Sequence, residues 1–186
     1  DERRILDTLI AQPVKAGECY YIPSGLPHAL GKGILVAEVQ TPSDTTFRLY
    51  DWGRSRMTAD EQQHHLTEGL KAALFDPPNL KHTEKRTHIA GFFTTVSCLI
   101  MCDYFRIERV RMSEGYEQEI PYDQPVVWIV LEGKGKITTA DKMQVPFQRG
   151  QTMLVPANMN DARVSLAADT VWLEVSFPQA QKQMLA

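Results

Sequence analysis

Gly17-Glu18-Cys19-Tyr20-Tyr21-Ile22-Pro23-Ser24-Gly25-Leu26-Pro27-His28 is the stretch on which the reading of this chain turns. Glu18–Ile22 is aromatic and β-favouring, so it reads as a short strand. Pro23 has no N–H to offer a neighbouring strand and ends it. Gly25 suits a backbone with φ > 0, after which the side chain of His28 points back across the sheet. The same spacing returns at one constant offset, with Gly150, Pro156, Asn158 and Asp161 standing where Gly17, Pro23, Gly25 and His28 stood. Asparagine tolerates φ > 0 better than most residues, so Asn158 suits the role that Gly25 has in the first copy. The chain therefore carries two copies of one turn–strand–turn unit.

Working outward from the first copy, Ile34–Gln40 and Phe47–Tyr50 read as further strands, the former joined through Gly31-Lys32-Gly33. Upstream, Ile5, Leu6, Leu9 and Ile10 have helical spacing, and Pro13 bounds that helix. Downstream, Thr58 and Glu61 form a capping-box pattern, and Leu66, Leu70 and Leu74 make one apolar stripe on the helix it opens. Asp76-Pro77-Pro78-Asn79 is the expected stop, and Lys81–Arg86 reads as a charged, solvent-facing linker.

Around the second copy everything reads as strand and turn. The expected strands are Phe93–Met101, Tyr104–Met112, Val126–Glu132, Gly135–Thr139, Thr152–Val155, Arg163–Leu166 and Val171–Phe177, separated by Gly-, Pro- and Asn-bearing turns. Closely spaced short strands of this kind predict an antiparallel sandwich or barrel. The alternation in Phe105-Arg106-Ile107-Glu108-Arg109-Val110-Arg111 fits a sheet with one face in a core and the other in water.

The spacing from Gly17 through Pro23 and Gly25 to His28 resembles the second motif of cupins, jelly-roll barrels in which that histidine is a metal ligand. The longer run resembles type I mannose-6-phosphate isomerase: Pro23-Ser24-Gly25-Leu26-Pro27-His28-Ala29, Glu38-Val39-Gln40, and Ser43 through Tyr50 to Asp51-Trp52-Gly53-Arg54. The resemblance is strong over residues 13–56 and looser through the helix and a second barrel to the C-terminus. It implies a mainly β, cupin jelly-roll chain: a partial first barrel over 1–56, helix and linker over 57–83, and a complete, metal-free second barrel over 84–186. It also implies that His28 completes a zinc site and that Arg48 is the catalytic arginine facing a sugar phosphate. The family's other ligands, a Gln-x-His pair and a glutamate, lie upstream of the matched part. Together with an opening Asp1-Glu2-Arg3-Arg4, this leads us to expect the C-terminal part of something longer, with zinc occupancy and activity of this chain alone in doubt.

The chemistry implied is a proton moved between C2 and C1 of an opened sugar, with mannose 6-phosphate and fructose 6-phosphate as its two ends. It needs a Lewis acid, a base, and positive charge for the enediolate and phosphate. Zinc suits the first role and an arginine the last; no residue here is identified as the base. Against these stand plainer readings: a hydrogen-bonded structural His28, and an Arg48 paired with Asp44 or Asp51. Gln62-Gln63-His64 lies on the expected helix and is not taken as the family's ligand pair. His64 and His65 read as a solvated helix face, His82 and His88 have no partner spacing, and Cys98 and Cys102 read as two buried thiols on one side of a strand. Asp161 is expected to serve local backbone donors.

Composition excludes several classes. The 186 residues are 43% hydrophobic and 23% charged, as in ordinary globular proteins, with a formal charge of -3. That charge gives no bulk attraction to nucleic acid or an anionic membrane, and no apolar run approaches the ~20 residues of a membrane helix. Three cysteines make no disulfide framework. A cytoplasmic protein is expected, with no nucleic-acid or membrane partner. A rival to the isomerase reading is a non-catalytic cupin that binds a sugar or a protein partner. Either way, residues 13–56 supply too few strands to close a barrel. A homo-oligomer, or another contact covering that open barrel, is expected.

Overall fold

The computed structural model describes residues 4–52, 56–76, 80–82, 86–91 and 93–177, with only the backbone of Arg4, of Lys81–His82 and of 86–91. The Gly53-Arg54 end of the family-like run, the Pro77-Pro78-Asn79 stop and linker residues 83–85 fall outside this set. The chain divides into two units, Asp1–Lys81 and His82–Ala186.

In the first unit the short helix α1 is Arg4–Thr8, not the longer helix expected, and the Thr8 hydroxyl donates to the Ile5 carbonyl at 2.7 Å where it ends. The turn before strand β1 (Cys19–Tyr20) is held by the Glu18 carboxylate, which accepts from Lys15 N–H and Tyr20 O–H, both at 2.9 Å. Tyr21 N–H donates to the Leu80 carbonyl at 3.2 Å.

Ile34–Gln40 and Phe47–Tyr50 are not strands, contrary to expectation. A strand exists through hydrogen bonds to a neighbour, and neither segment is paired with one among the described residues. Their β-favouring side chains are left outside a core, with Leu35 94% and Val36 46% exposed. Helix α2 (Ala59–Ala72) has the predicted capping box: Thr58 Oγ1 accepts from Glu61 N–H at 3.3 Å and Glu61 accepts from Thr58 N–H at 2.7 Å. It ends before the expected proline stop, at an extended Ala73. Leu70 and Leu74 of the predicted stripe are exposed, and the buried contact is made at Gly69 instead.

The second unit starts with β2 (Lys81–His82) at the unit boundary and β3 (Arg86–Gly91), and continues with β4 (Thr94–Met101), β5 (Arg106–Met112), β6 (Glu117–Glu119) and β7 (Val126–Glu132). Next come β8 (Lys134–Thr138), β9 (Gln144–Gln148), β10 (Thr152–Val155), β11 (Arg163–Leu166) and β12 (Thr170–Ser176). Two antiparallel sheets form, in strand order β10-β7-β12-β5-β4-β3 and β6-β11-β8-β9. Their inner faces share one core: Val110, Val130, Val155 and Trp172 from the larger sheet meet Ile137, Phe147, Val164 and Leu166 from the smaller. Sheets of this length stack by such alternating inward residues, and the result is an antiparallel jelly-roll barrel in a mainly β chain.

All seven strands expected here exist, within a residue or two at their ends. Strands β2, β3, β6 and β9 were not anticipated; β2 and the start of β3 fall in the stretch Lys81–Arg86 that was expected to be a linker. Strand β9 contains Pro146, which a strand tolerates only where its missing N–H is not needed, and β9 is an edge of the smaller sheet. The β7–β8 turn requires glycine: Gly133 has φ +81°, and a Cβ there would sit 2.4 Å from the Asp169 carbonyl oxygen.

The internal repeat is present in the backbone. Gly17 and Gly150 have φ of +88° and +85°, and Gly25 and Asn158 have φ of +86° and +52°, as the residue types at those positions predicted. Asp161, in the place of His28, is itself left-handed at φ +59° and exposed.

Candidate functional site

Helix α2 organises both residues that the family-like run singles out. Near its C-terminal end, the Leu74 N–H donates to the Gly25 carbonyl at 2.8 Å. Gly25 lies so close to the helix that a Cβ on it would meet the Ala72 carbonyl oxygen at 2.6 Å. This contact, with φ +86°, is why the position takes glycine. Three residues on, His28 is exposed, and its Nδ1 lies 2.9 Å from the Leu26 carbonyl oxygen. A carbonyl only accepts, so Nδ1 carries the proton, and in the neutral imidazole Nε2 is the nitrogen left to ligate. That is the arrangement in which an imidazole ligates a metal, with its other nitrogen tied to a carbonyl.

In the middle of α2, His65 Nδ1 accepts the Arg48 backbone N–H at 3.0 Å. The proton of that ring therefore lies on Nε2. The His65 ring also meets Phe47 edge-on, with centroids 6.0 Å apart. One turn further along, Gly69 is buried where a Cβ would sit 2.6 Å from Leu49 Cδ2 and 3.0 Å from Phe47 Cβ. The segment Phe47-Arg48-Leu49 is thereby strapped to the helix, and the Arg48 side chain is exposed beside it. His65 was read as part of a solvated face; it is half-buried and holds the backbone of the arginine segment. Along the helix, His65 and Ala72 are separated by ~10 Å at 1.5 Å per residue. The Arg48 segment and the His28 loop thus share one rigid support.

Among the described residues, no group of three His, Cys, Asp or Glu side chains is placed to hold a metal. Zinc sites use three or four protein ligands. His28 has the tautomer of a ligand but is one imidazole, so the described residues do not by themselves constitute a zinc site. Cys98 is buried on β4, whereas Cys102 lies beyond the end of that strand and is only half-buried, so the two thiols do not form the expected buried pair.

The second unit, expected from sequence as a metal-free barrel, contains a cavity of about 240 Å³ lined by both apolar and charged side chains. Strand β5 explains why the sequence misled. Arg106, Glu108, Val110 and Met112 all line the cavity, so the interior face of this strand carries two charges as well as two apolar residues. The simple alternation of core and water faces fails at Arg106 and Glu108, while Ile107 is buried on the opposite face. Arg106 Nη2 lies 2.5 Å from Glu108 Oε1.

Opposite Glu108 in the sheet stands Glu174 of β12. Glu174 Oε1 accepts the Tyr122 hydroxyl proton in a short hydrogen bond and the Trp172 indole N–H at 3.0 Å. Tyr122 in turn accepts the Trp128 indole N–H at 3.0 Å. Burial raises the pKa of Glu174 above the usual carboxylate range, against the lowering effect of its two donors. Burial, followed by the Glu174 charge, pushes the Tyr122 hydroxyl up. The available signal was a charged residue on the phase fixed by Val110 and Met112, and a lone glutamate in Val171-Trp172-Leu173-Glu174-Val175.

Comparison with known proteins adds the following. No protein-family model matches the chain. The chain is 32% identical over 175 residues to mannose-6-phosphate isomerase ManA of Bacillus subtilis, an alignment covering 91% of this chain and 53% of that protein. It is 32% identical over 146 residues to mannose-6-phosphate isomerase of Streptococcus mutans, covering 77% of this chain and 44% of the relative. Among solved structures, a cupin superfamily protein from Desulfitobacterium hafniense aligns over 50% of this chain and 84% of its own, at 15% identity and a TM-score of 0.41. KdgF from Halomonas sp. aligns over 53% of this chain and 90% of its own, at 11% identity and a TM-score of 0.44. The chain is a homologue of the mannose-6-phosphate isomerases and spans about half the length of the curated relatives it matches.

Proposed function

We propose that this chain is part of a cytoplasmic mannose-6-phosphate isomerase, a zinc enzyme interconverting mannose 6-phosphate and fructose 6-phosphate, with His28 as one metal ligand and Arg48 as the catalytic cation. The observation that carries the reading is the 32% identity to a mannose-6-phosphate isomerase over 175 residues. The attachment of both the His28 loop and the Arg48 segment to α2 supports it, because one helix then holds the backbones of both segments. Preorganised charge is effective in catalysis because nothing has to reorient as the transition state forms.

Zinc would supply Lewis acidity toward the sugar oxygens. This chain contributes to that site a single imidazole whose Nδ1–H is tied to Leu26, which sets the ring's orientation. Arg48 presents a planar donor fork to the developing enediolate or to the phosphate. Its backbone is fixed by His65, so the arginine is positioned through its main chain while its side chain is exposed. No described helix is long and apolar enough to cross a membrane.

The first unit exposes large apolar side chains, among them Leu30 at 61% and Phe75 at 76%. Such surface supports association with a further segment or a second copy. Light scattering at high concentration checks this; a strict monomer counts against it.

Isomerase assays with added zinc test the function, comparing these 186 residues with a longer chain that supplies the remaining ligands. Turnover is expected from the longer form, with loss of kcat in Arg48→Ala and loss of bound zinc in His28→Ala. Absence of turnover from both lengths refutes it.

A further inference from the structure

We propose that the cavity inside the second unit's barrel is a binding site for a neutral, polyhydroxylated molecule of about monosaccharide size. Its volume of about 240 Å³ is far more than the ~10–15 Å³ that one ordered water needs, so it is not a packing defect. Its floor is apolar, made by Val96, Val110 and Trp172. Its wall is polar: Arg106 supplies donors, Glu108 and Glu174 supply acceptors, and Gln118 is held there by the Thr94 hydroxyl at 3.0 Å. An apolar floor with a few fixed polar groups is the build of a small-molecule pocket.

The balance of the wall selects the class of ligand. Hydroxyl groups both donate and accept, so a polyol can satisfy a carboxylate and a guanidinium side by side. A phosphate only accepts hydrogen bonds as a dianion, and the guanidinium among the described lining residues is already paired with Glu108. Glu119, which also lines the cavity, adds acidity, although Arg163 pairs with it at 3.1 Å. Anions are therefore rejected and neutral sugars or polyols accepted.

The polar groups are preorganised as well. The chain of indole, phenol and carboxylate from Trp128 through Tyr122 to Glu174, closed by Trp172, ties β7 and β12 to the loop bearing Tyr122. Strands β5, β7 and β12 are neighbours in one sheet, so the wall rests on paired backbone. This inference does not depend on the isomerase reading, since every group it uses lies within the second unit.

The test uses the full 186-residue chain with D-mannose, D-mannitol and mannose 6-phosphate as probes, followed by calorimetry and by the fluorescence of the cavity tryptophans. Saturable binding of a neutral probe is expected, about tenfold or more tighter than the phosphate, with about tenfold loss in Val96→Phe, which fills the cavity. Should Val96→Phe fail to give the wild-type circular dichroism spectrum, Glu108→Gln decides instead, with the same loss expected. No saturation by either neutral probe, equal binding of the phosphate, or unchanged binding in the variant used would overturn the assignment.

Discussion

Replacing Gly25 with alanine tests whether the His28 loop is seated on α2 by backbone contact. Two costs are separable. An L-residue held at φ +86° costs ~1–2 kcal/mol, and Gly33 at φ +79° in the same unit carries that cost alone, because a Cβ there meets nothing within 4 Å. At Gly25 the Cβ would also lie 2.6 Å from the Ala72 carbonyl oxygen and 3.3 Å from Leu74 Cγ. The oxygen belongs to the backbone and cannot swing aside, so the loop must lift off the helix; overpacking of this kind costs a further ~1–3 kcal/mol. The difference between Gly25→Ala and Gly33→Ala corresponds to a factor of ~5–150 in local opening, at ~1.4 kcal/mol per tenfold. Amide hydrogen exchange reads it at Leu74, whose N–H donates to the Gly25 carbonyl. If Leu74 exchanges no faster in Gly25→Ala than in Gly33→Ala, the contact does not seat the loop.

Two further outcomes follow from the titrating groups. Burial raises the pKa of Glu174, so the folded state holds this proton more tightly than the unfolded state, and stability falls as pH climbs above the ordinary carboxylate range. Glu174→Gln keeps an oxygen for the Trp172 N–H and removes that slope, which reaches at most ~1.4 kcal/mol per pH unit. Denaturation midpoints of wild type minus variant should therefore decline from ~pH 4 upward; a flat difference contradicts the raised pKa. At the N-terminus of α2, Thr58→Ala should cost ~1 kcal/mol of helix stability. Hydrogen bonds from Thr58 lower the Glu61 pKa, backbone first and then hydroxyl, so NMR titration should find it partly restored upward in Thr58→Ala. An unmoved titration would show that the hydroxyl contributes nothing.

Residue types with narrow physical roles were legible before any coordinates. The positive φ at Gly25 and Asn158, the capping box at Thr58 and Glu61, and the seven expected strands of the second unit follow from turn chemistry and period-two patterning. The family-like run correctly led to mannose-6-phosphate isomerases. Strand character at Ile34–Gln40 and Phe47–Tyr50 misled, because β-propensity describes a side chain's fit to a sheet and does not supply the neighbouring strand. His65 looked solvated because its partner, the Arg48 amide, lies 17 positions away along the chain.

Local backbone choices, strand periodicity and kinship were therefore determined by the sequence itself, since each depends on residues close together or on a repeated spacing. Which face of β5 turns inward, and hence the gathering of Arg106, Glu108 and Glu174 around one cavity, was decided only by tertiary pairing. The same holds for α2 as the common support of His28 and Arg48. Contacts between distant segments depend on how sheets and helices come together, and no local preference encodes that.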